Sequence, residues 1–279
     1  MLIKKAVITA AGPGQVDLPL QTVVDQSSQA GSALELLVSE VTRAGIEEVA
    51  IVVCPGQIKR YQSALKGYEG RLRFFEQNNP RGYGDALLRA RDFTRQEPFL
   101  HLVSDHLYVT RNGKSCASQL LEIAKAEQCA VSAIQPTREN QLSSFGVIGG
   151  QPVAQKSGLF EVRTVLEKPT PTVAERQLIV PGQRAGFYLC LFGMHVLTPE
   201  FFDLLAENLT QLGTNDSLNI SETLGQLAYG QRYLAAELKG ERYDIGSKFG
   251  LLFAQLAMAL AGDDRDSVLT ELVELVAKR

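Results

Sequence analysis

The stretch Lys5-Ala-Val-Ile-Thr-Ala-Ala11 is apolar apart from Lys5 and Thr9, and it stops at Gly12-Pro13-Gly14. A short apolar run cut off by Gly and Pro reads as a buried strand followed by a tight loop. Beyond a loop rich in Gln, Ser and Asp that reaches Gly31, Ser32 and Glu35 have capping-box spacing, and Leu34, Leu37, Val38 and Val41 recur at helical intervals up to Gly45. Glu48 to Val53 is the next apolar run. Strand, loop, helix, glycine, strand is the beginning of a βαβ unit, because parallel strands need a crossover between them. The expected class is therefore α/β, with a central, mostly parallel mixed sheet flanked by helices.

The alternation continues outward. A helix is expected over Gln57–Leu65, a strand over Arg71–Phe75, a helix over Gly84–Phe93, and a strand over Phe99–Val103 that ends at Ser104-Asp105-His106. Ligands of doubly wound sheets sit at the carboxyl ends of the strands, which gives Asp105 functional potential. Further strands are expected at Phe145–Ile148, Val162–Leu166 and Gly186–Phe192, and helices at Pro199–Ala206, Ser221–Ala228, Lys248–Ala261 and Asp266–Ala277. We expect one domain over 1–279, with one half at about 1–130, a second at about 131–250, and C-terminal helices at 251–279. The stripe on the last helix suits docking on the domain or on a second copy, so a homo-oligomer is expected.

The 279 residues are 45% hydrophobic and 21% charged with a net charge of -3, which excludes a disordered chain and any bulk attraction to nucleic acid or anionic membrane. The N-terminal apolar run is too short for a signal peptide, and Phe249–Ala261 is too short to span a bilayer. Cys54, Cys116, Cys129 and Cys190 contain no CxxC pair, which fits reduced thiols and a cytoplasmic location.

Gly12-Pro13-Gly14 after the first strand lets backbone N–H groups approach a phosphate, although a plain tight turn is the commoner meaning. It is neither G-x-G-x-x-G, since Asp17 holds the last position, nor a P-loop. In Gln77-Asn-Asn-Pro-Arg-Gly82-Tyr-Gly84-Asp85, the Gln77 amide suits a base edge; the alternative is a polar loop with a helix cap at Asp85. Asp105 and Asp244 each follow an apolar segment, and two such carboxylates can share one magnesium ion, although singly each is more often a cap. Glu167-Lys168-Pro169 sets an acceptor beside a cation, as a sugar hydroxyl and its phosphate require, or is simply a charged strand end. His101, His106 and His195 are not at ligand spacing and read as satisfied or exposed imidazoles.

These pieces occur in one order, and that order resembles the bacterial UTP:glucose-1-phosphate uridylyltransferases, or UDP-glucose pyrophosphorylases, over nearly the whole chain. The resemblance implies a Rossmann-like nucleotidyltransferase fold with Mg2+ as cofactor. Its ligands would be a nucleoside triphosphate and a sugar 1-phosphate, or a UDP-sugar. It implies that Ala11, Gly12, Gly14, Gln77 and Gly82 bind nucleotide, and that Gly146, Glu167 and Lys168 bind sugar and its phosphate. Asp105, Lys168 and Asp244 would be catalytic, with Asp105 and Asp244 holding the metal. Gly186-Phe-Tyr188 and Asn215-Asp-Ser-Leu-Asn-Ile-Ser-Glu222 also resemble family segments, and Tyr243-Asp244-Ile-Gly246-x-Lys248-x-Gly250 is the most specific match. The chain departs from the family pattern at Gln15-Val16, where Thr-Arg is usual, and at Asp25-Gln26, where Pro-Lys is usual. Asp85, Phe187 and Ser217 replace a histidine, an arginine and a glutamate. Loss of two loop cations predicts an enzyme with reduced turnover; the alternative is a non-catalytic UDP-sugar-binding or regulatory homologue.

Overall fold

The computed structural model describes residues 1–278 apart from Pro13, Asn112, Thr214 and Asn215. The expectations for Pro13 in the glycine loop and for Asn215 at the head of the acidic loop lie outside the described residues. In chain order the strands and helices are β1 (Lys5–Ala10), β2 (Thr22–Val24), β3 (Ala30–Ser32), α1 (Ala33–Arg43), β4 (Glu48–Val53), α2 (Ile58–Ser63), β5 (Leu72–Glu76), α3 (Tyr83–Leu88), α4 (Arg91–Thr94), β6 (Phe99–Val103) and β7 (His106–Val109). There follow α5 (Cys116–Glu127), β8 (Ala130–Arg138), β9 (Gly146–Pro152), β10 (Leu159–Glu167), α6 (Pro171–Gln177), β11 (Phe187–Leu197), α7 (Pro199–Gln211), α8 (Ile220–Gly230), β12 (Tyr233–Glu237), β13 (Glu241–Asp244), α9 (Gly250–Ala261) and α10 (Arg265–Ala277).

Nine strands form one sheet in the order β5-β4-β1-β6-β11-β8-β12-β10-β9. The four strands from the first half are all parallel. The remainder is mixed: β11 runs antiparallel to β6 and β8, and β10 antiparallel to β12 and β9. Every residue of β1 is buried, as a strand covered on both faces requires. Its alternate side chains feed two cores. Ala6 and Ile8 meet Leu34, Leu37, Val38 and Val41 of α1, whereas Val7 faces the side of Phe201 and Phe202 of α7. Each fully buried Leu or Val of the α1 stripe contributes roughly 1.5–3 kcal/mol. The Ser32 hydroxyl accepts from the Glu35 N–H and sets the start of α1.

Several boundaries depart from the sequence pattern. The loop before α1 contains the β2–β3 hairpin, whose turn is tied by Asp25 Oδ1 accepting from the N–H groups of Ser27 and Gln29. The helix expected over Gly84–Phe93 is broken into α3 and α4, because its first part ends in tight bonds from Arg89 N to Ala86 O and from Ala90 N to Leu87 O. Strand β11 runs on to Leu197 through an irregularity between Leu191 and His195, where Gly193 takes φ +77. Among the described residues no helix is long and apolar enough to cross a membrane, and all four cysteines are free thiols.

Beneath the sheet's functional end lie two fully buried imidazoles. His101 of β6 stands opposite His195 of β11, the rings stacked with centroids 5.9 Å apart. His101 Nδ1 donates to the Val7 carbonyl at 2.9 Å, so its Nε2 accepts the Tyr83 hydroxyl proton. His195 Nδ1 bonds Ser132 Oγ, which also bonds the Tyr233 hydroxyl. Burial drives His101 down to about 4, against the opposing pull of the Val7 carbonyl, and burial with His101 and His106 nearby drives His195 down as well. In the unfolded chain these imidazoles take up a proton near their ordinary value of 6.5, and in the folded chain they do so only at lower pH. The unfolded state therefore binds more protons in that window, and stability is lost as pH falls from about 6.5 towards 4. For His101 alone the loss is on the order of 3 kcal/mol. Thermal melts at pH 7.5, 6 and 5 should show Tm dropping steeply below pH 6.5, and a flat Tm would contradict this origin of acid sensitivity.

Candidate functional site

A cavity of about 480 Å³ opens at the carboxyl ends of β1 and β6. Its wall includes Thr9 to Gly12 from the end of β1, and Val103, Ser104 and Asp105 from the end of β6. Gln77, Pro80, Gly82, Tyr83 and Ala86 close one side, with Gln15 and Ser217 at the rim. Ala11, Gly12, Gln77, Gly82 and Asp105 are thus brought together as the sequence implied. Gly14 is not in this wall; its φ of +80 makes the turn, and a Cβ there would meet open space.

Gln77 is 3% exposed, and its Nε2 donates to Gly82 O at 3.0 Å and to Asp85 Oδ2 at 2.7 Å. Both partners can only accept, so the NH2 must face them and Oε1 is the amide atom left for a ligand. Asp85 is not a helix cap. It lies inside α3 with no exposure, accepting from Gln77 and pairing with Arg89, and the cap position belongs to Gly82. Gly82 itself is wedged against the segment before α8. With φ +103, a Cβ there would fall 2.3 Å from Ser217 Oγ and 2.7 Å from Leu218 O, while Leu218 N donates to Arg81 O and Gly84 N to Leu218 O.

The far end of the site is built by a two-stranded ribbon. β13 pairs antiparallel with β7, placing Asp244 opposite His106, and Ile245 N donates to Asp105 O at 2.8 Å. Asp105, His106 and Asp244 each bring one ligand atom to within 4.8 Å of the others. Asp244 Oδ1 accepts from Gly246 N at 2.9 Å. Withdrawal from water raises the Asp105 carboxyl, with its own backbone N–H, Arg242 and Lys168 pulling the other way. His106 was not singled out by the sequence as a site residue; the signal available was its adjacency to Asp105.

The second half supplies a further cluster. Antiparallel pairing of β9 with β10 puts Gly146 opposite Glu167. The Ser221 hydroxyl donates to Glu167 Oε2 at 2.6 Å, and a Cβ on Gly146 would lie 2.9 Å from that hydroxyl oxygen. Lys168 has φ +45, held by its N–H donating to Phe145 O at 3.1 Å, and its ammonium is 3.9 Å from Glu167 Oε1. Asp105 and Glu167 both raise the Tyr83 phenol, beyond the larger effect of burial, so the cavity wall at Tyr83 feels both clusters.

The two departures in the loop differ from expectation in where they sit. Gln26 does not face the cavity: its Nε2 donates to Thr110 O at 2.8 Å, and its backbone carbonyl accepts from Asp263 N. Val16 packs against the core around α1, and the Tyr61 hydroxyl bonds its carbonyl. Gln15 is the residue of this loop whose side chain reaches across, between Gly12 and Gly246. No lysine or arginine occurs among the described residues lining the cavity.

A family model described as nucleotidyl transferase matches residues 6–259. The chain belongs to the nucleotidyl transferase family. Within it, the chain is 31% identical to UTP--glucose-1-phosphate uridylyltransferase 1 of Streptococcus pyogenes serotype M3, over 92% of this chain and 89% of that protein. The corresponding uridylyltransferase of Streptococcus pneumoniae serotype 4 is 29% identical over 98% of this chain and 96% of its own length. A crystal structure of UDP-glucose pyrophosphorylase complexed with UDP-glucose superposes with a TM-score of 0.74 at 26% identity, covering 92% of this chain and 98% of that one. The chain is thus a nucleotidyltransferase of the uridylyltransferase type by descent.

The wedge at Gly82 generates a prediction. Gly82→Ala combines a backbone conformation that costs an L-residue about 1–3 kcal/mol with a clash against Ser217 and Leu218, and it moves the loop that orients Gln77. It should lower Tm by several degrees and abolish the thermal shift given by uridine nucleotides, as differential scanning fluorimetry would show.

Proposed function

We propose that this chain transfers a uridylyl group between UTP and glucose 1-phosphate, forming UDP-glucose and pyrophosphate, and that it does so slowly. The observation that supports this most is the convergence of Asp105 and Asp244 at one end of a cavity whose other end is closed by an orientationally fixed Gln77. In this reading Gln77 Oε1 accepts an N–H of the base, and the backbone at Ala11 and Gly12 lies against the phosphates, with Gly14 making the turn. Glu167, held by Ser221 and given room by Gly146, accepts a sugar hydroxyl, and Lys168 holds the sugar phosphate. A phosphate oxygen of glucose 1-phosphate then attacks the α-phosphorus of UTP, and the bond to the bridging oxygen breaks as pyrophosphate leaves. Two carboxylates at one point suit a magnesium ion, which when bound neutralises phosphate charge. The protein's share is positioning and charge.

Slow turnover follows from the leaving-group end. Among the described residues the cavity wall carries no lysine or arginine to meet the developing charge of pyrophosphate, and a lost charge stabiliser typically costs about 10² to 10⁵ in rate. The same observation favours the second reading, a UDP-sugar-binding homologue with no turnover. Four free thiols support a reducing, cytoplasmic setting. Exposed Phe249, Leu252 and Phe253 on and before α9, with Val273 and Val276 on α10, support association with a second copy.

Pyrophosphate release from UTP, glucose 1-phosphate and Mg2+ tests the proposal. Slow release that falls at least about 10²-fold in Asp105→Asn and Asp244→Asn is the expected result. No release, together with a thermal shift from UDP-glucose, would select the binding protein. Because Gln15 rather than Val16 borders the cavity, Gln15→Arg should raise the forward rate and Val16→Arg should not; the reverse order would mean that the loop rearranges when UTP binds.

A further inference from the structure

His106 occupies a slot made for it. Its Nδ1 lies 3.2 Å from the carbonyl of Phe192, and a carbonyl only accepts, so Nδ1 carries the ring proton and Nε2 presents a bare lone pair. The slot exists because β11 is irregular there and carries Gly193 at φ +77: a Cβ on that residue would fall 2.3 Å from His106 Nδ1 and 2.7 Å from Val103 Cγ2. Phe145 packs edge-on against the ring, with centroids 6.4 Å apart. An imidazole whose outer nitrogen is pinned to a carbonyl and whose inner nitrogen is free is the arrangement by which proteins orient a metal-ligating histidine.

The free nitrogen faces oxygen. Nε2 is 3.9 Å from Asp105 Oδ1, too far for a hydrogen bond. Around a cation whose ligands stand at about 2.1 Å, neighbouring donor atoms are roughly 3.0 Å apart and opposite ones roughly 4.2 Å. The separation from Asp105, and the limit of 4.8 Å that encloses the Asp244 oxygen as well, are those of a donor set slightly open around one ion. Register fixes this set, since Asp244 is the direct cross-strand partner of His106.

We propose that His106 is a third metal ligand, so that the site is a two-carboxylate, one-imidazole set in which the imidazole adds affinity for Mn2+, Fe2+ or Co2+ and little for Mg2+. Magnesium favours all-oxygen shells and keeps its waters, whereas imidazole favours transition metals. The inference rests on the reading that this end of the cavity holds a divalent cation.

The test uses the whole chain and the metal alone. Co2+ titrated by calorimetry, with its visible absorption followed in parallel, should bind the parent protein roughly tenfold or more tightly than it binds His106→Asn, while Mg2+ affinity changes less than about threefold. Pulsed EPR of the Mn2+-loaded parent should show coupling to nitrogen, a readout that needs no variant and so decides the matter if His106→Asn fails to fold. Equal Co2+ affinities, no nitrogen coupling, or no binding of either ion would overturn the proposal. Nitrogen coupling without pyrophosphate release would keep the metal site and reject uridylyl transfer; release without nitrogen coupling would do the reverse.

Discussion

The site depends on the short antiparallel ribbon of β7 and β13. Asp105 is placed by β6, the strand of the parallel half that borders β11, but Asp244 comes from the far end of the chain and reaches the same point through cross-strand pairing with His106. Side chains alternate along a strand, so a slip of one residue in this ribbon would turn Asp244 away from Asp105 and bring a neighbour in its place. The bond from Ile245 N to Asp105 O pins the register just beyond the pair. Helix α9 then packs on both ribbon strands, with Ala254 and Met258 buried against the core, and Gln255 bonds the N–H and carbonyl of Val24. Helix α9 therefore holds the ribbon and the β2–β3 hairpin in one unit.

Much of this was legible from residue patterns. The uninterrupted apolar run of β1, the Ser32 cap and the α1 stripe are local signals with local causes, and they specify the parallel half. Asp105 was visible because it stands just past the end of an apolar strand, after Ser104. The parts that escaped depend on contacts distant in sequence. His106 looked like an isolated imidazole because Asp244 and Gly193, which give it meaning, lie far along the chain. The continuation of β11 past Phe192 was hidden by Gly193, a residue that ordinarily weakens strands and here makes room for a ring.

The loop before α1 teaches the same point from the other side. Its place along the chain put Gln26 where the family pattern has a lysine, but the hairpin turn is docked on the end of α9, and the Gln26 amide is spent on Thr110 O. Sequence position set the spacing, and a tertiary contact set the direction. Asp85 likewise looked like a surface cap, since a carboxylate in a first helical turn usually is one. Its complete burial is tolerable only because Gln77, Arg81 N and Arg89 all donate to it.

That buried carboxylate limits how base recognition can change. A free glutamine can rotate its amide by half a turn and exchange acceptor for donor at almost no cost, so a pocket that reads a base through it is ambiguous between partners of opposite hydrogen-bond polarity. Here rotation would set Gln77 Oε1 against the Asp85 carboxylate and the Gly82 carbonyl, two acceptors, and is forbidden without a second substitution. In the proposed reading of Gln77 the pocket is thereby polarised: it would meet the imide N–H that uracil and thymine share and oppose the lone pair that cytosine carries at the same ring position. Discrimination between the first two must come from the shape of the wall, where a methyl group either fits or does not.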